Sequence, residues 1–124
     1  MAHALRNLKL HWRRLMGRRQ VVLDGVTLST DARAIPRQVR SALFKETYEE
    51  HERRLVRSVV RPGDRVLEVG AGIGMISLLS ARLCGAQNVL AYEANPALEP
   101  VIRANYALNG LNPELRMRSV TRDG

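Results

Sequence analysis

The chain has 124 residues, of which 45% are apolar and only 4% aromatic, a composition suited to one compact domain with a core of Leu, Val, Ile and Ala. No run of about 18 apolar residues occurs, which excludes a membrane-spanning helix, and the lone Cys84 excludes an internal disulfide or a cysteine metal cluster. The net charge is +8, yet the basic residues, all Arg except Lys9 and Lys45, are scattered from Arg6 to Arg122, so the charge marks no single nucleic-acid face.

Residues 1–20 carry Leu5, Leu8, Trp12 and Leu15 at helical spacing among Arg6, Lys9, Arg13, Arg14, Arg18 and Arg19. This predicts a basic amphipathic helix that docks its apolar stripe on the domain; a peripheral membrane or RNA contact is the alternative. The segment lacks the apolar stretch of a secretory signal, and a cytoplasmic location is expected. Val21-Val22-Leu23, Asp24-Gly25 and Val26-Thr27-Leu28 read as a hairpin with a two-residue turn. Pro36 suits the start of a helix. The apolar residues Val39, Leu43, Phe44, Tyr48, Leu55, Val56, Val59 and Val60 predict one continuous helix from there, ended by Arg61-Pro62-Gly63-Asp64.

From Asp64 the rhythm changes to short strands alternating with helices: a strand over 65–70, a helix over 74–84, a strand over 88–93, a helix over 96–109 stopped by Gly110, and a third strand over 115–120. That alternation means β-α-β units on a parallel sheet. The expected division is a basic N-terminal extension with a short hairpin at 1–35, then part of a Rossmann-like α/β domain at 36–124.

The informative stretch is Glu68-Val69-Gly70-Ala71-Gly72-Ile73-Gly74, between a strand and a helix. Glycines there let the chain turn sharply and let a ligand lie on bare backbone, and the following helix presents unpaired N–H groups. The dinucleotide fingerprint G-x-G-x-x-G would need its third glycine at Met75; here it falls one residue earlier, at Gly74. An acid two residues before the first glycine would repel a pyrophosphate but attract a ligand carrying an ammonium and a sulfonium. Glu68 therefore favours S-adenosyl-L-methionine over NAD as cofactor. Glu93, roughly 20 residues beyond the glycines, sits where a carboxylate accepts hydrogen bonds from ribose hydroxyls. The predicted cofactor-binding set is Glu68, Gly70, Ala71, Gly72, Gly74, Glu93, Ala94 and Asn95. His51 falls in a charged helical stretch, His3 and His11 in the basic leader, and none forms a metal-ligand set with Cys84.

On these residues the chain resembles the class I S-adenosylmethionine-dependent methyltransferases. Residues 66–74 look like their motif I, and Ala91-Tyr92-Glu93-Ala94-Asn95-Pro96 looks like the acidic loop after their second strand. More narrowly, it resembles the FkbM-like O-methyltransferases, through Tyr48-Glu49, Arg61-Pro62-Gly63-Asp64, Glu93-Ala94-Asn95-Pro96 and residues 105–111. Gly72 and Tyr92 depart from the Asn and Phe that members often carry. The resemblance spans residues 45–124 and implies O-methyl transfer to a small-molecule or glycan acceptor, with nucleic acid not the expected partner. The loop after the third strand, where Arg118 and Ser119 stand, should reach the adenine, but neither residue is assigned to it.

The resemblance also implies a seven-stranded sheet, of which this chain supplies about three strands. The acceptor site and any general base fall outside what the sequence assigns. Three readings therefore stay open: a cofactor-binding portion of a methyltransferase, a non-catalytic ligand-binding module, and a basic RNA- or membrane-associated protein on the same scaffold. The strand over 65–70 should be central, so its free side predicts a homodimer or a second chain that completes the sheet.

Overall fold

The structure, a computed structural model, describes residues 2–15 and 19–123. Helix α1 spans Ala2–Leu15, and a hairpin follows of β1 (Gln20–Leu23) and β2 (Val26–Ser29), antiparallel with Val21 opposite Leu28. Its turn is the expected pair, Asp24 at φ 50° and Gly25 at φ 81°, a twist that matches the flanking strands. Val21, Leu23, Val26 and Leu28 are buried and Val22 points outward, the alternation of a sheet with one covered face.

The single helix expected after Pro36 is two. Helix α2 spans Arg37–Lys45 and α3 spans Glu50–Val59, separated by a turn in which Glu46 and Glu49 adopt left-handed φ of 64° and 46°. Arg53 holds this break: it donates to the carbonyls of Glu46 (2.7 Å) and Tyr48 (2.8 Å) and to Asp24 Oδ2 of the hairpin (2.7 Å). The carbonyls freed by interrupting the helix thus gain a buried, charge-assisted donor.

The second half is the expected β-α-β-α-β run: β3 (Val66–Val69), α4 (Met75–Cys84), β4 (Val89–Tyr92), α5 (Glu99–Asn109) and β5 (Glu114–Arg116). The three strands are parallel in the order β3-β4-β5. The third strand is shorter and earlier than the expected 115–120. Its ladder to β4 ends at Arg116 opposite Tyr92, and the Arg118 N–H turns back to the Arg116 carbonyl. A 3-10 turn over Pro96–Leu98 precedes α5.

Helix α5 joins the hairpin to this unit. The Asn109 side-chain amide accepts from the Thr27 N–H and donates to the Thr27 carbonyl, both at 2.8 Å, acting as a one-residue strand against the edge of β2. Buried Asn105 accepts from the Ser29 N–H (2.9 Å) and donates to the Ile73 carbonyl (2.8 Å), linking hairpin and glycine loop. One core cluster accordingly runs from Leu23 and Leu28 through Phe44 to Leu78, Ile102 and Tyr106.

Helix α1 reverses its expected orientation. Arg6, Lys9 and Arg13 face the domain, pairing with Glu50, Glu46 and the Phe44 carbonyl, and Leu10 is buried. Leu5, Leu8 and Trp12 are instead 55%, 66% and 57% exposed; the fourth stripe residue, Leu15, has a side chain outside those described. The acidic residues around the α2–α3 break draw the basic side of α1 inward. Among the described residues no helix is long and apolar enough to cross a membrane.

Candidate functional site

The glycine loop leaves β3 at its carboxyl end and enters α4. Gly70 and Ala71 donate to the Tyr92 carbonyl at 2.8 and 2.9 Å, which fastens the loop to the end of β4. Gly74 (φ 94°) is the residue from which α4 starts, and a Cβ there would stand 3.2 Å from the Tyr106 ring. At Gly72 (φ 60°) a Cβ would meet the Tyr48 hydroxyl at 3.3 Å. Conformation and space both require glycine at these two positions.

Glu93 closes the other side. It is nearly buried, and its carboxylate accepts from the Gly72 N–H through Oε1 and the Asn95 N–H through Oε2, both at 2.9 Å. Asn95 in turn accepts from the Ala97 N–H at 3.0 Å, capping the 3-10 turn before α5. Each Glu93 oxygen keeps a second acceptor direction, so the residue can serve a ribose while holding the loop. Ala71 is buried, whereas Ala94 and Asn95 are exposed beside Glu93. The structure thus gathers the eight sequence-predicted residues around the carboxyl ends of β3 and β4, where α/β folds bind ligands.

Glu68 differs from Glu93 in having no partner. Neither of its buried carboxylate oxygens meets a hydrogen-bond donor, and Glu49 Oε2 is in the same position. Burial pushes the Glu68 carboxyl up to about 8, helped by the charges of Glu49 and Glu93. Burial and the charge of Glu52 push Glu49 up to about 7, against the pull of Arg53 and the Tyr48 hydroxyl. Arg53 is committed to Asp24 and two carbonyls. The acids Glu49, Glu52 and Glu68, the apolar Leu55, Val56, Val69 and Ile76, and Gly70 line an open recess of about 300 Å³. Buried carboxylates without donors are costly, and a ligand carrying a positive charge and N–H donors relieves that cost. This largely apolar recess, with the unpartnered oxygens of Glu49 and Glu68 in its wall beside a glycine loop, fits the cationic cofactor expected from the sequence.

Glu49 was absent from the predicted set. Its only sequence signal was its place beside Tyr48 in the resemblance, because a continuous helix through residue 49 hides the turn that directs it to the glycine loop. His51 is exposed. Arg118 packs at the carboxyl end of β4. Its guanidinium lies 5.8 Å over the Tyr92 ring, as does that of Arg116. Among the described residues no three His, Cys, Asp or Glu side chains group as a metal site.

Comparison with known proteins gives three kinds of match. The family model described as the TRM5/TYW2 methyltransferase domain matches residues 37–123. The protein-L-isoaspartate O-methyltransferase of Methylorubrum extorquens is 50% identical over 58 residues, covering 47% of this chain and 25% of that protein. Among solved structures, M. jannaschii TYW2 in complex with AdoMet superposes with a TM-score of 0.57 at 24% identity, over 81% of this chain and 42% of that one. The Pyrococcus abyssi tRNA (uracil-54, C5)-methyltransferase in complex with S-adenosyl-L-homocysteine superposes with a TM-score of 0.58 at 20% identity, over 86% and 26%. At these identities the structural likeness is one of fold. The chain spans about a quarter of the length of the first of these relatives.

Proposed function

The chain belongs to the TRM5/TYW2 methyltransferase domain family, and from that premise we propose that it binds S-adenosylmethionine and serves methyl transfer to RNA. The family replaces the FkbM-like one suggested by residues 45–124. The glycine loop and the acids at the carboxyl ends of β3 and β4 are shared across class I methyltransferases, so they could not separate one family from another.

The observation that carries the reading is the pairing of a glycine loop clamped by Glu93 with the unpartnered Glu68 beside it. Glu93 accepts from the ribose while holding Gly72, and Gly70, Ala71 and Gly72 bring bare backbone to the cofactor. Glu68 accepts from its charged amino-acid arm. The cofactor supplies a methyl group on a sulfonium, open to in-line displacement. The chain contributes position, and orientation is a large part of acceleration in such reactions. RNA as acceptor rests on the family.

A protein acceptor, with methyl transfer to oxygen, is the second reading, favoured by the 50% identity to a protein O-methyltransferase. Tritiated cofactor offered with total RNA and, separately, with total protein distinguishes the two. Label in protein alone removes the RNA reading.

The cofactor itself is tested by calorimetry with S-adenosylmethionine, S-adenosylhomocysteine and NAD. The first two are expected to bind more tightly than NAD; equal or tighter NAD binding overturns the reading. Glu93→Gln is expected to weaken cofactor binding by about 1–3 kcal/mol, the scale of a lost buried hydrogen bond to a charged group. Unchanged affinity in a folded variant removes Glu93 from the site.

A further inference from the structure

We propose that Glu49 is a cofactor-positioning residue, which together with Glu68 forms a two-carboxylate seat for the ammonium of the cofactor's amino-acid arm. The proposal rests on the cofactor reading above and goes beyond it, since motif I contains Glu68 but not Glu49.

The turn between α2 and α3 carries the argument. Glu49 occupies the N-cap position of α3 in a left-handed conformation, yet its side chain makes no capping hydrogen bond. The carboxylate lies toward the glycine loop instead: a Cβ on Gly72 would stand 4.0 Å from Glu49 Oε1 and 3.3 Å from the neighbouring Tyr48 hydroxyl. Left-handed backbone at a residue other than glycine costs energy and clusters at functional sites.

The charges around the pair leave a positive charge to be supplied from outside. Glu49 faces Glu52, Arg53 and Tyr48, and Glu68 faces Glu49 and Glu93. Arg53 is the one cation in that set, and its hydrogen bonds go to Asp24, Glu46 and Tyr48. Three buried oxygens, both of Glu68 and Oε2 of Glu49, are left without donors. An ammonium carries three N–H donors and one positive charge, which matches three open acceptors. A sulfonium has no N–H and cannot satisfy them.

Burial raises Glu49 to about 7 and Glu68 to about 8, so near neutral pH the pair is shared between ionised and protonated forms. Seating an ammonium favours the ionised pair, so protons leave as it binds. This separates a role in binding from a role in folding.

The test is calorimetry on the full chain near pH 7.5, in two buffers of different ionisation enthalpy, with S-adenosylhomocysteine and with 5′-methylthioadenosine, which lacks the amino-acid arm. The expected result is release of on the order of one proton with S-adenosylhomocysteine and none with methylthioadenosine. Glu49→Gln is expected to weaken S-adenosylhomocysteine roughly ten- to a hundredfold, to reduce the proton count, and to leave methylthioadenosine within about twofold; Glu49→Asp should recover part of the loss. Equal weakening of both ligands by Glu49→Gln, or no weakening of either, overturns the proposal. If Glu49→Gln does not fold, the proton counts of the unaltered chain decide, and equal counts for the two ligands overturn it. Absence of binding to both ligands by the unaltered chain overturns the cofactor reading and this proposal together.

Discussion

The two faces of the β3-β4-β5 sheet end in different surroundings. On one face Val66, Val89 and Ala91 join the core clusters that contain α4 residues such as Leu78, Ala81 and Cys84. On the other, Leu67 and Val69 are 64% and 62% exposed, and Leu90 and Tyr92 stand beside them in register. Parallel strands are normally covered on both faces, and their sequences are apolar throughout for that reason. On this face β3 and β4 have such a composition, with Leu67, Val69, Leu90 and Tyr92, while β5 presents Glu114 and Arg116, so the β3–β4 part of the face and the free edge of β3 are a surface suited to a second layer. A homodimer or a completing chain, expected from the sequence, remains our proposal for what covers it.

Stability measurements on paired variants test this contrast most strongly. Ile102→Ala, at a fully buried position of α5, is expected to cost about 2–5 kcal/mol. Leu67→Ala on the open face should cost about 0.5 kcal/mol or less. Both are read by urea unfolding at low protein concentration. A Leu67→Ala cost approaching that of Ile102→Ala would mean that the open face is covered in solution. Sedimentation as a function of concentration then shows whether a second copy covers it, and Leu67→Lys should abolish that association.

The covered face has one exception to its apolar character, Glu68, and this sets a pH dependence of intermediate size. The Glu68 carboxyl is raised to about 8, chiefly by burial and then by Glu49 and Glu93, and Glu49 to about 7. In the unfolded chain both titrate near the ordinary glutamate value of about 4.3. The folded state therefore holds more protons between those values. The stability linked to these groups is fully present below about pH 4.3 and is lost as pH rises through 7 to 8. The melting temperature of the ligand-free chain should fall from pH 6 to pH 8.5. Glu68→Gln should flatten the fall, because the amide does not ionise. A melting temperature that rises over this interval, or an unchanged slope in Glu68→Gln, would remove the buried-acid account.

How far the sequence discloses this arrangement depends on how local the determinants are. The hairpin was legible because Asp24-Gly25 sits between alternating apolar residues. The glycine loop and Glu68 were legible because the acid stands two residues before Gly70, and Glu93 because it directly follows the apolar run of β4. The break between α2 and α3 was not, because Val39, Leu43, Tyr48, Leu55 and Val59 keep helical spacing across it. What ends α2 is Arg53 reaching back to the carbonyls of Glu46 and Tyr48 and across to Asp24, and the long-range part of that is invisible in a periodic pattern. Overlooking the break also concealed Glu49. The short third strand was misplaced for a related reason: residues 117–120 have β-prone neighbours, but the ladder to β4 stops at Arg116.

Helix α1 gives the smallest expected effect and the second instance of apolar residues facing outward. Its reversal follows from electrostatics that the apolar stripe alone cannot reveal: Arg6 and Lys9 pair with Glu50 and Glu46, both brought together by the α2–α3 break, and Arg13 donates to the Phe44 carbonyl at 2.6 Å. Partly exposed ion pairs contribute only about 0–1 kcal/mol each, but together with buried Leu10 they decide which face turns inward. Trp12, 57% exposed, then has little to lose on truncation. Trp12→Ala is expected to change the unfolding free energy by no more than about 0.5 kcal/mol. The tryptophan fluorescence of the unaltered chain should be quenched readily by acrylamide, since Trp12 is the lone tryptophan and its emission reports this site alone. A loss above about 2 kcal/mol, the scale of a buried large side chain, together with a protected indole, would place the stripe against the domain, as its periodicity first suggests. Protection that appears only at higher protein concentration would instead make the outer face of α1 a contact between copies, alongside the open face of the sheet.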